Sequence, residues 1–264
     1  MNQKLLLTSV FAATLGAAVV RAQTTPPSAP APAGVSITAT ATAVSQYMFR
    51  GQRLGGLSFQ PAIECGSGSS VLGIWSNFPI KDEVPDTSDP EFDLYGSYNF
   101  TVSDVLSIVP GFTWYTYPDA PTAAGFYRST FEPNVALNYT VGGVKLTPKV
   151  YYDLRLEGPT YEFTAAYALP LKDIGSELDF VGTVGSYYVR EAINNSRPAT
   201  KAWGDYWLIG VSAPFQITPK GKLTVGFAYT KGTNAFAKQG TAPRFENSLA
   251  VGRGVVTLSY SHSF

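Results

Sequence analysis

The sequence predicts an all-β protein whose strands close into an antiparallel barrel. Polar and apolar residues alternate along much of the chain, as expected for strands whose two faces have unlike surroundings. Aromatic residues and charged residues each make up 14% of the sequence, whereas charged residues are usually about a quarter of a globular domain. A charge-poor sheet rich in Tyr and Phe is typical of a wall that contacts lipid.

The N-terminus predicts export across a membrane. Lys4 supplies a positive charge, residues 5–20 form an apolar stretch, and Ala22 ends a cleavage site before Gln23. This is the pattern of a secretory signal peptide, assigned to residues 1–22. Nothing after it offers the run of about 18 apolar residues that a spanning helix needs. The exported chain can therefore enter a membrane only as a closed barrel, in which every backbone polar group is paired.

Residues 23–34 predict a linker between the signal peptide and the barrel. Most of this segment reads TTPPSAPAPAG, and none of these residues can anchor a core. Its prolines favour extended polyproline II geometry, so we interpret it as a disordered tether. The barrel domain is then residues 35–264.

Composition argues against several classes of function. Removal of Lys4 and Arg21 with the signal peptide reduces 19 basic residues to 17 against an unchanged 19 acidic residues, a net charge of −2. A chain without a basic excess is not expected to bind nucleic acid. Cys65 is the single cysteine, so no intramolecular disulfide can form.

The barrel is predicted to be up-and-down, with about twelve strands and long connections alternating with short ones, as in outer-membrane barrels. Ten or fourteen strands remain open, because the first loop and the link between the seventh and eighth strands are weakly defined. Pro110, Pro133 and Pro148 fall inside strands, where their missing N–H groups suggest β-bulges. The predicted strands are residues 35–50, 58–66, 71–78, 91–100, 105–117, 127–141, 144–155, 160–167, 177–190, 206–217, 223–230 and 255–264.

Charge indicates which face of the wall is the lumen. One face of the seventh strand carries two lysines, an aspartate and an arginine, which a dry core would hold only with complete pairing. Both signs occur on this face, so no strong ion selectivity is expected. An open lumen and one plugged by paired charges remain equally compatible with twelve strands. The predicted pore-lining residues are Arg50, Gln60, Glu64, Glu91, Asp93, Tyr95, Glu132, Asn134, Lys145, Lys149, Asp153, Arg155 and Glu162.

The C-terminal strand resembles the assembly signal of bacterial outer-membrane barrels. Val256, Leu258, Tyr260 and Phe264 share one face, and the chain ends on the aromatic residue. The resemblance implies recognition by the barrel-insertion machinery and residence in outer-membrane lipid.

Segments in the first half of the mature chain resemble the TorF family of outer-membrane proteins. The matching segments read SQYMFRG at 45–51, PA at 61–62, GIWSN at 73–77, EFDLYGSY at 91–98 and WYTYP at 114–118. Between them, residues 52–56 depart from the short polar turn of that family. The resemblance implies a barrel with a transport role and names no substrate.

Catalysis and cofactor binding are not expected. The single histidine, His262, lies two residues from the C-terminus, far from where a Ser-His-Asp arrangement would need it. The acidic loop with Asp82, Glu83, Asp86 and Asp89 matches no Ca²⁺-loop spacing. We therefore predict a passive outer-membrane channel for small polar solutes. The alternative is a non-conducting barrel whose extracellular loops serve a structural, adhesive or partner-binding role.

Overall fold

A computed structural model describes residues 34–81, 90–120, 127–191, 200–233, 235–238, 245–246 and 250–264. The predicted signal peptide, almost all of the linker and most of the acidic loop lie outside these residues. The described chain forms a closed antiparallel barrel of twelve strands. The strands are β1 (Val35–Val44), β2 (Ser58–Ser67), β3 (Ser70–Pro79), β4 (Glu91–Tyr98), β5 (Leu106–Thr116), β6 (Ser129–Val141), β7 (Val144–Asp153), β8 (Gly158–Leu171), β9 (Ser176–Glu191), β10 (Thr200–Gln216), β11 (Gly221–Gly232) and β12 (Arg253–Ser263).

Each strand pairs with its neighbours in sequence, and β12 closes the barrel by pairing with both β11 and β1. The up-and-down order and the strand number predicted from the sequence are confirmed. A short segment, Phe100–Ser103, continues the pairing of β4 along β5. Beyond the wall, Ala235–Lys238 pairs with β10 and with Phe245–Glu246, and a single 3₁₀ turn at Lys172–Ile174 joins β8 to β9. None of the described residues forms a helix that is long and apolar enough to cross a membrane.

The two faces of the wall differ as the alternation predicts. Large apolar side chains point outward and are exposed, among them Phe163 at 42% and Leu258 at 51%. Their neighbours Glu162 and Thr257 point inward, where they are half-buried and buried. Soluble proteins rarely expose such a continuous apolar surface, so the outer face is suited to the hydrocarbon layer.

Turns are tight at the end of the barrel that carries both the start of β1 and the end of β12. There, Gly142 and Gly143 join β6 to β7 with φ of 57° and 81°, the conformation of a two-residue type I′ hairpin. Most connections at the opposite end are longer, as in outer-membrane barrels. The exception is the turn at residues 154–157, where Glu157 has φ 51°.

The predicted first strand, residues 35–50, is too long. β1 ends at Val44, and the chain then forms a separate hairpin of Tyr47–Phe49 and Gln52–Gly55, called the inner hairpin below. Tyr47 and Met48 are 2% and 0% exposed. Because these apolar side chains are covered inside the barrel, the segment leaves the wall after Val44.

Several smaller boundary predictions also differ. β7 ends at Asp153 rather than at residue 155, β8 extends to Leu171, and β10 begins at Thr200. The prolines do not form bulges, because Pro110, Pro133 and Pro148 pair in unshifted register. A proline can occupy such positions where its missing N–H faces a side of the strand that forms no ladder hydrogen bond.

Candidate channel lumen

The inner hairpin enters the lumen and packs against the near wall through aromatic contacts. The Tyr47 ring lies 5.9 Å from the Trp75 ring on β3, and the Tyr47 hydroxyl donates to Glu91 on β4 over 2.5 Å. Phe49 meets Tyr115 on β5 edge to face, with ring centroids 6.1 Å apart. One arm of the hairpin is thus tied to three successive strands.

Arg50 connects the inner hairpin to β6 and β7. Its guanidinium donates to both carboxylate oxygens of Glu132, each over 2.9 Å, and the Tyr115 hydroxyl donates to the same carboxylate over 2.9 Å. The guanidinium also lies 4.7 Å and 4.9 Å from the ring centroids of Phe49 and Tyr151. Burial disfavours the charged guanidinium, but the adjacent Glu132 carboxylate more than offsets this and raises the pKa of Arg50.

The turn at the tip of the hairpin has little room. Arg50 and Gly51 have φ of 48° and 73°, the positive values that a type I′ hairpin requires. A Cβ atom on Gly51 would lie 2.5 Å from the backbone N of Gly232 on β11 and 2.8 Å from Cβ of Tyr206 on β10. The hairpin therefore contacts walls on opposite sides of the lumen, and glycine is required where it touches the far side.

Tyrosine hydroxyls also hold other carboxylates on the lumen face. Glu162 accepts from Tyr151 over 3.2 Å and from Tyr206 over 2.5 Å. Tyr95 donates to Glu64 over 3.0 Å. These lumen carboxylates are therefore positioned by neutral donors rather than by cations.

The seam between β1 and β12 is lined differently. Thr38, Thr40 and Thr42 hydrogen-bond to three serines of β12 over 3.3, 3.0 and 2.9 Å. The serines, in the same order, are Ser263, Ser261 and Ser259. Only hydroxyl groups face the lumen along this part of the wall, and each is satisfied by its direct cross-strand neighbour.

Most of the predicted pore-lining residues lie on the lumen face, although their role in a pore stays a prediction. Arg50 is inside the barrel but belongs to the inner hairpin rather than to the wall. The wall positions are Gln60, Glu64, Glu91, Asp93, Tyr95, Glu132, Asn134, Lys145, Lys149, Asp153 and Glu162. Arg155 was wrongly placed: β7 ends at Asp153 because its carboxylate accepts the backbone N–H of Arg155 over 2.7 Å and starts a turn, which leaves Arg155 exposed.

Sequence reasoning missed several inward residues. Glu177 and Asp179 share the lumen face of β9, and Lys222 lies on that of β11. These charged residues alternate with Leu178, Phe180 and Leu223, and this alternation predicts an inward position as it does in the other strands. Of the aromatic side chains around the inner hairpin, Tyr95 was predicted to face the lumen, whereas Trp75 and Tyr115 were missed because nothing local marks the hairpin as an internal element.

The apolar side chains of β12 point outward, as the sequence predicts. Val256, Leu258 and Tyr260 point outward, and Phe264 is 68% exposed. The backbone N–H of Phe264 donates to Ile37 over 2.9 Å, so the last residue is paired with the first strand. Recognition by the insertion machinery stays a prediction.

Several solved structures of outer-membrane barrels are similar to this chain. The KdgM porin shares the fold with a TM-score of 0.50 at 11% identity, covering 87% of this chain and 99% of the porin. The NanC porin gives 0.48 at 9% identity with the same coverage of both chains. The COG4313 outer-membrane channel from Pseudomonas putida F1 gives 0.42 at 14% identity, covering 90% of this chain and 97% of the channel.

A search of curated protein sequences found no match. A family described as bacterial proteins of unknown function (Gcw_chp) matches residues 28–262, whereas the TorF resemblance finds no independent support. The chain therefore belongs to the Gcw_chp family and has the fold of an outer-membrane β-barrel.

Proposed function

We propose that this protein is a passive channel in the bacterial outer membrane for small polar solutes. The observation that carries the proposal is the state of two lysines on the lumen face of β7. Neither Lys145 nor Lys149 forms a hydrogen bond or an ion pair with any part of the chain that the structure describes. Lys149 instead lies 4.4 Å from the ring centroid of Tyr151.

Unpaired lysines favour water in the lumen. In a dry plug, an ammonium group without a carboxylate partner would cost several kcal/mol. The carboxylates nearest to the hairpin are already bound by Arg50 or by tyrosine hydroxyls. A hydrated passage along β7 accounts for charges of this kind better than a closed ion-pair network.

The charges on the lumen face favour the passage of cations over that of anions. Among the described residues of the lumen face and the inner hairpin, eight carboxylates face five cations, an excess of three negative charges. The carboxylates are Glu64, Glu91, Asp93, Glu132, Asp153, Glu162, Glu177 and Asp179, and the cations are Arg50, Arg53, Lys145, Lys149 and Lys222. The list predicted from the sequence holds six carboxylates and four cations, and it changes once Glu177, Asp179, Lys222 and Arg53 are included and Arg155 is removed. We expect a weak cation preference in an open pore.

Conductance across a planar bilayer tests the proposal. The refolded wild type should give discrete channels whose reversal potential in a KCl gradient favours K⁺ weakly. Lys145→Glu with Lys149→Glu should shift it further toward K⁺. The matched control is Lys172→Glu with Lys220→Glu, which makes the same charge change in exposed turns. A conducting wild type that responds equally to both pairs would contradict the assignment of β7 to the pathway.

A non-conducting barrel is the second candidate, and the inner hairpin favours it. The hairpin contacts walls on opposite sides of the lumen, so it narrows or closes the passage at its own level. Replacing residues 46–56 by a Gly-Ser linker of equal length should increase single-channel conductance if the hairpin narrows an open pore. A silent wild type whose replacement conducts would show that the hairpin closes the barrel.

Export and assembly complete the proposal. Cleavage after Ala22 would release a barrel whose terminal Phe264 is read by the insertion machinery. Deleting Phe264 is expected to lower the outer-membrane yield and leave protease-sensitive protein in the periplasm. Phe264→Tyr, which keeps a terminal aromatic ring, is the control. Equal membrane yield and heat-modifiable migration in the deletion and the control would rule out this signal.

A further inference from the structure

A cleft of about 820 Å³ opens on the outer face of β8, β9, β10 and β11, at the end of the barrel where most connections are long. The strand register places its outward side chains in two adjacent rows across these strands. Thr233 is joined to the second row by its backbone N–H, which donates to the carbonyl of Asp205 over 2.8 Å. One row is Phe163, Val184, Trp207 and Lys231, and the next, closer to the long connections, is Tyr161, Ser186, Asp205 and Thr233.

The two rows of the cleft differ in polarity. Phe163, Val184 and Trp207 are 42%, 56% and 40% exposed on the outer face, as expected for side chains that contact hydrocarbon. The next row presents the hydroxyl of Ser186 and the carboxylate of Asp205 on the same face. The cleft therefore crosses from an apolar to a polar surface, and it suits an amphipathic ligand.

Aromatic rings around the cleft indicate its depth in the membrane. The rings of Tyr161 and Trp203 stack with centroids 6.1 Å apart, and Tyr188 lies 5.2 Å from Trp203. On the other side of the cleft, the rings of Trp207 and Tyr229 are 5.5 Å apart. Tyr and Trp gather where the hydrocarbon layer meets the lipid head groups. The polar row of the cleft is thus at the level of the head groups.

Two charged groups in the cleft indicate the chemistry of the head group. Lys231 is exposed, and its ammonium forms no ion pair with the described part of the chain. An ammonium at this depth attracts the phosphate of a lipid. The Asp205 carboxylate is also exposed; it repels a phosphate but accepts hydrogen bonds from hydroxyl groups, such as those of a sugar.

The leaflet that the cleft faces agrees with this chemistry. In outer-membrane barrels the long connections lie outside the cell, so the cleft opens to the outer leaflet, where phosphorylated glycolipids are abundant. We propose that the cleft binds one phosphorylated glycolipid. Its phosphate pairs with Lys231, its sugar hydroxyls donate to Asp205, and an acyl chain lies against Phe163 and Val184. This site is on the outer wall, so it does not depend on the proposed channel.

Native mass spectrometry of the refolded barrel in detergent tests the proposal. Lipid A, phosphatidylglycerol and phosphatidylethanolamine are added at equal concentrations, and the wild type should retain one lipid A in preference to both phospholipids. Lys231→Glu should weaken lipid A binding by at least about tenfold, because a hydrogen bond to a charged group is lost. Lipid A without its phosphates should bind the wild type more weakly by a similar factor.

Ser186→Trp fills the middle of the cleft without a change of charge and should also weaken lipid A binding. Lys172→Glu is the matched control, because it makes the same charge change in an exposed turn at the opposite end of the barrel. It should bind lipid A as the wild type does. Heat-modifiable migration checks that each variant is folded.

Three results would overturn the proposal. In the first, the wild type retains no lipid A or retains either phospholipid equally well. In the second, removal of the phosphates from lipid A leaves its binding unchanged. In the third, folded Lys231→Glu and Lys172→Glu bind lipid A alike.

Discussion

The lumen face of the barrel has two unlike sides. Along β3–β7, aromatic and charged side chains meet the inner hairpin, as Glu132 meets Arg50. Along the β1–β12 seam, small hydroxyl side chains hydrogen-bond to their direct cross-strand neighbours, as Thr40 does to Ser261. The first side holds an inserted element in place, while the second closes the wall.

The two sides differ in what the loss of one polar group would leave behind. At the Arg50–Glu132 pair on the hairpin side, the side chains are 9% and 1% exposed, so a lost partner leaves a charge without water. At the seam, Thr40 and Ser261 are half-buried, so a lost partner can be replaced by water from the lumen. The comparison therefore predicts large effects near the hairpin and small effects at the seam.

The largest effect is expected when the ion pair of the hairpin is broken. Arg50→Ala would leave Glu132, whose side chain is 1% exposed, without its countercharge. Removing one partner of a buried pair typically costs about 3–5 kcal/mol, measurable as the free energy of unfolding by urea in lipid vesicles. Arg50→Met combined with Glu132→Gln should recover most of this loss, because no buried charge remains.

Arg155→Ala serves as the control for that measurement. Arg155 lies in an exposed turn, and surface substitutions of this kind usually change stability by less than about 0.5 kcal/mol. If Arg50→Ala and Arg155→Ala unfolded at the same urea concentration, the hairpin would not be held by its ion pair.

The next largest effect is expected from substitutions that test which side chains of the wall point outward and which point inward. Phe163 points outward and its neighbour Glu162 points inward, where tyrosines bind it. Phe163→Arg places a charge in the hydrocarbon layer at a cost of about 2–4 kcal/mol near the midplane. Glu162→Gln should cost less, because its side chain faces the lumen and its amide oxygen can still accept from the two tyrosines. Equal losses on refolding into vesicles would contradict the assignment of the two faces.

Sequence patterns predicted the seam much better than the hairpin side. Alternation places Thr38, Thr40 and Thr42 on one face of β1, and the same rule applies to β12, so the seam follows from local periodicity. The inward course of the hairpin follows instead from contacts such as Arg50 with Glu132, which are 82 residues apart. The run Tyr47-Met48-Phe49 reads as the end of a strand, because nothing local distinguishes a side chain covered by lipid from one covered inside the lumen.

A smaller effect is expected where the tip of the hairpin touches the far wall. A Cβ atom on Gly232 would lie 2.8 Å from the carbonyl oxygen of Gly51, so Gly232→Ala forces the tip to move. Overpacking of this kind typically costs about 1–3 kcal/mol, and in an open pore it should also change the conductance. Gly182→Ala is the control, because nothing lies within 4 Å of its added Cβ. Equal unfolding of the two variants would mean that the tip does not rest on β11.

The smallest effect is expected at the seam. Thr40→Val removes a hydroxyl–hydroxyl bond of 3.0 Å to Ser261, and one such bond contributes about 0.5–1.5 kcal/mol net. Because water in the lumen can bind the remaining Ser261 hydroxyl, the loss should lie at the low end of that range. Thr40→Val combined with Ser261→Ala should be close to neutral, since no hydroxyl is then left without a partner. If Thr40→Val destabilised the barrel as much as Arg50→Ala, the seam would have to be dry. A dry seam would remove the difference between the two sides of the lumen and would favour the non-conducting barrel over the channel.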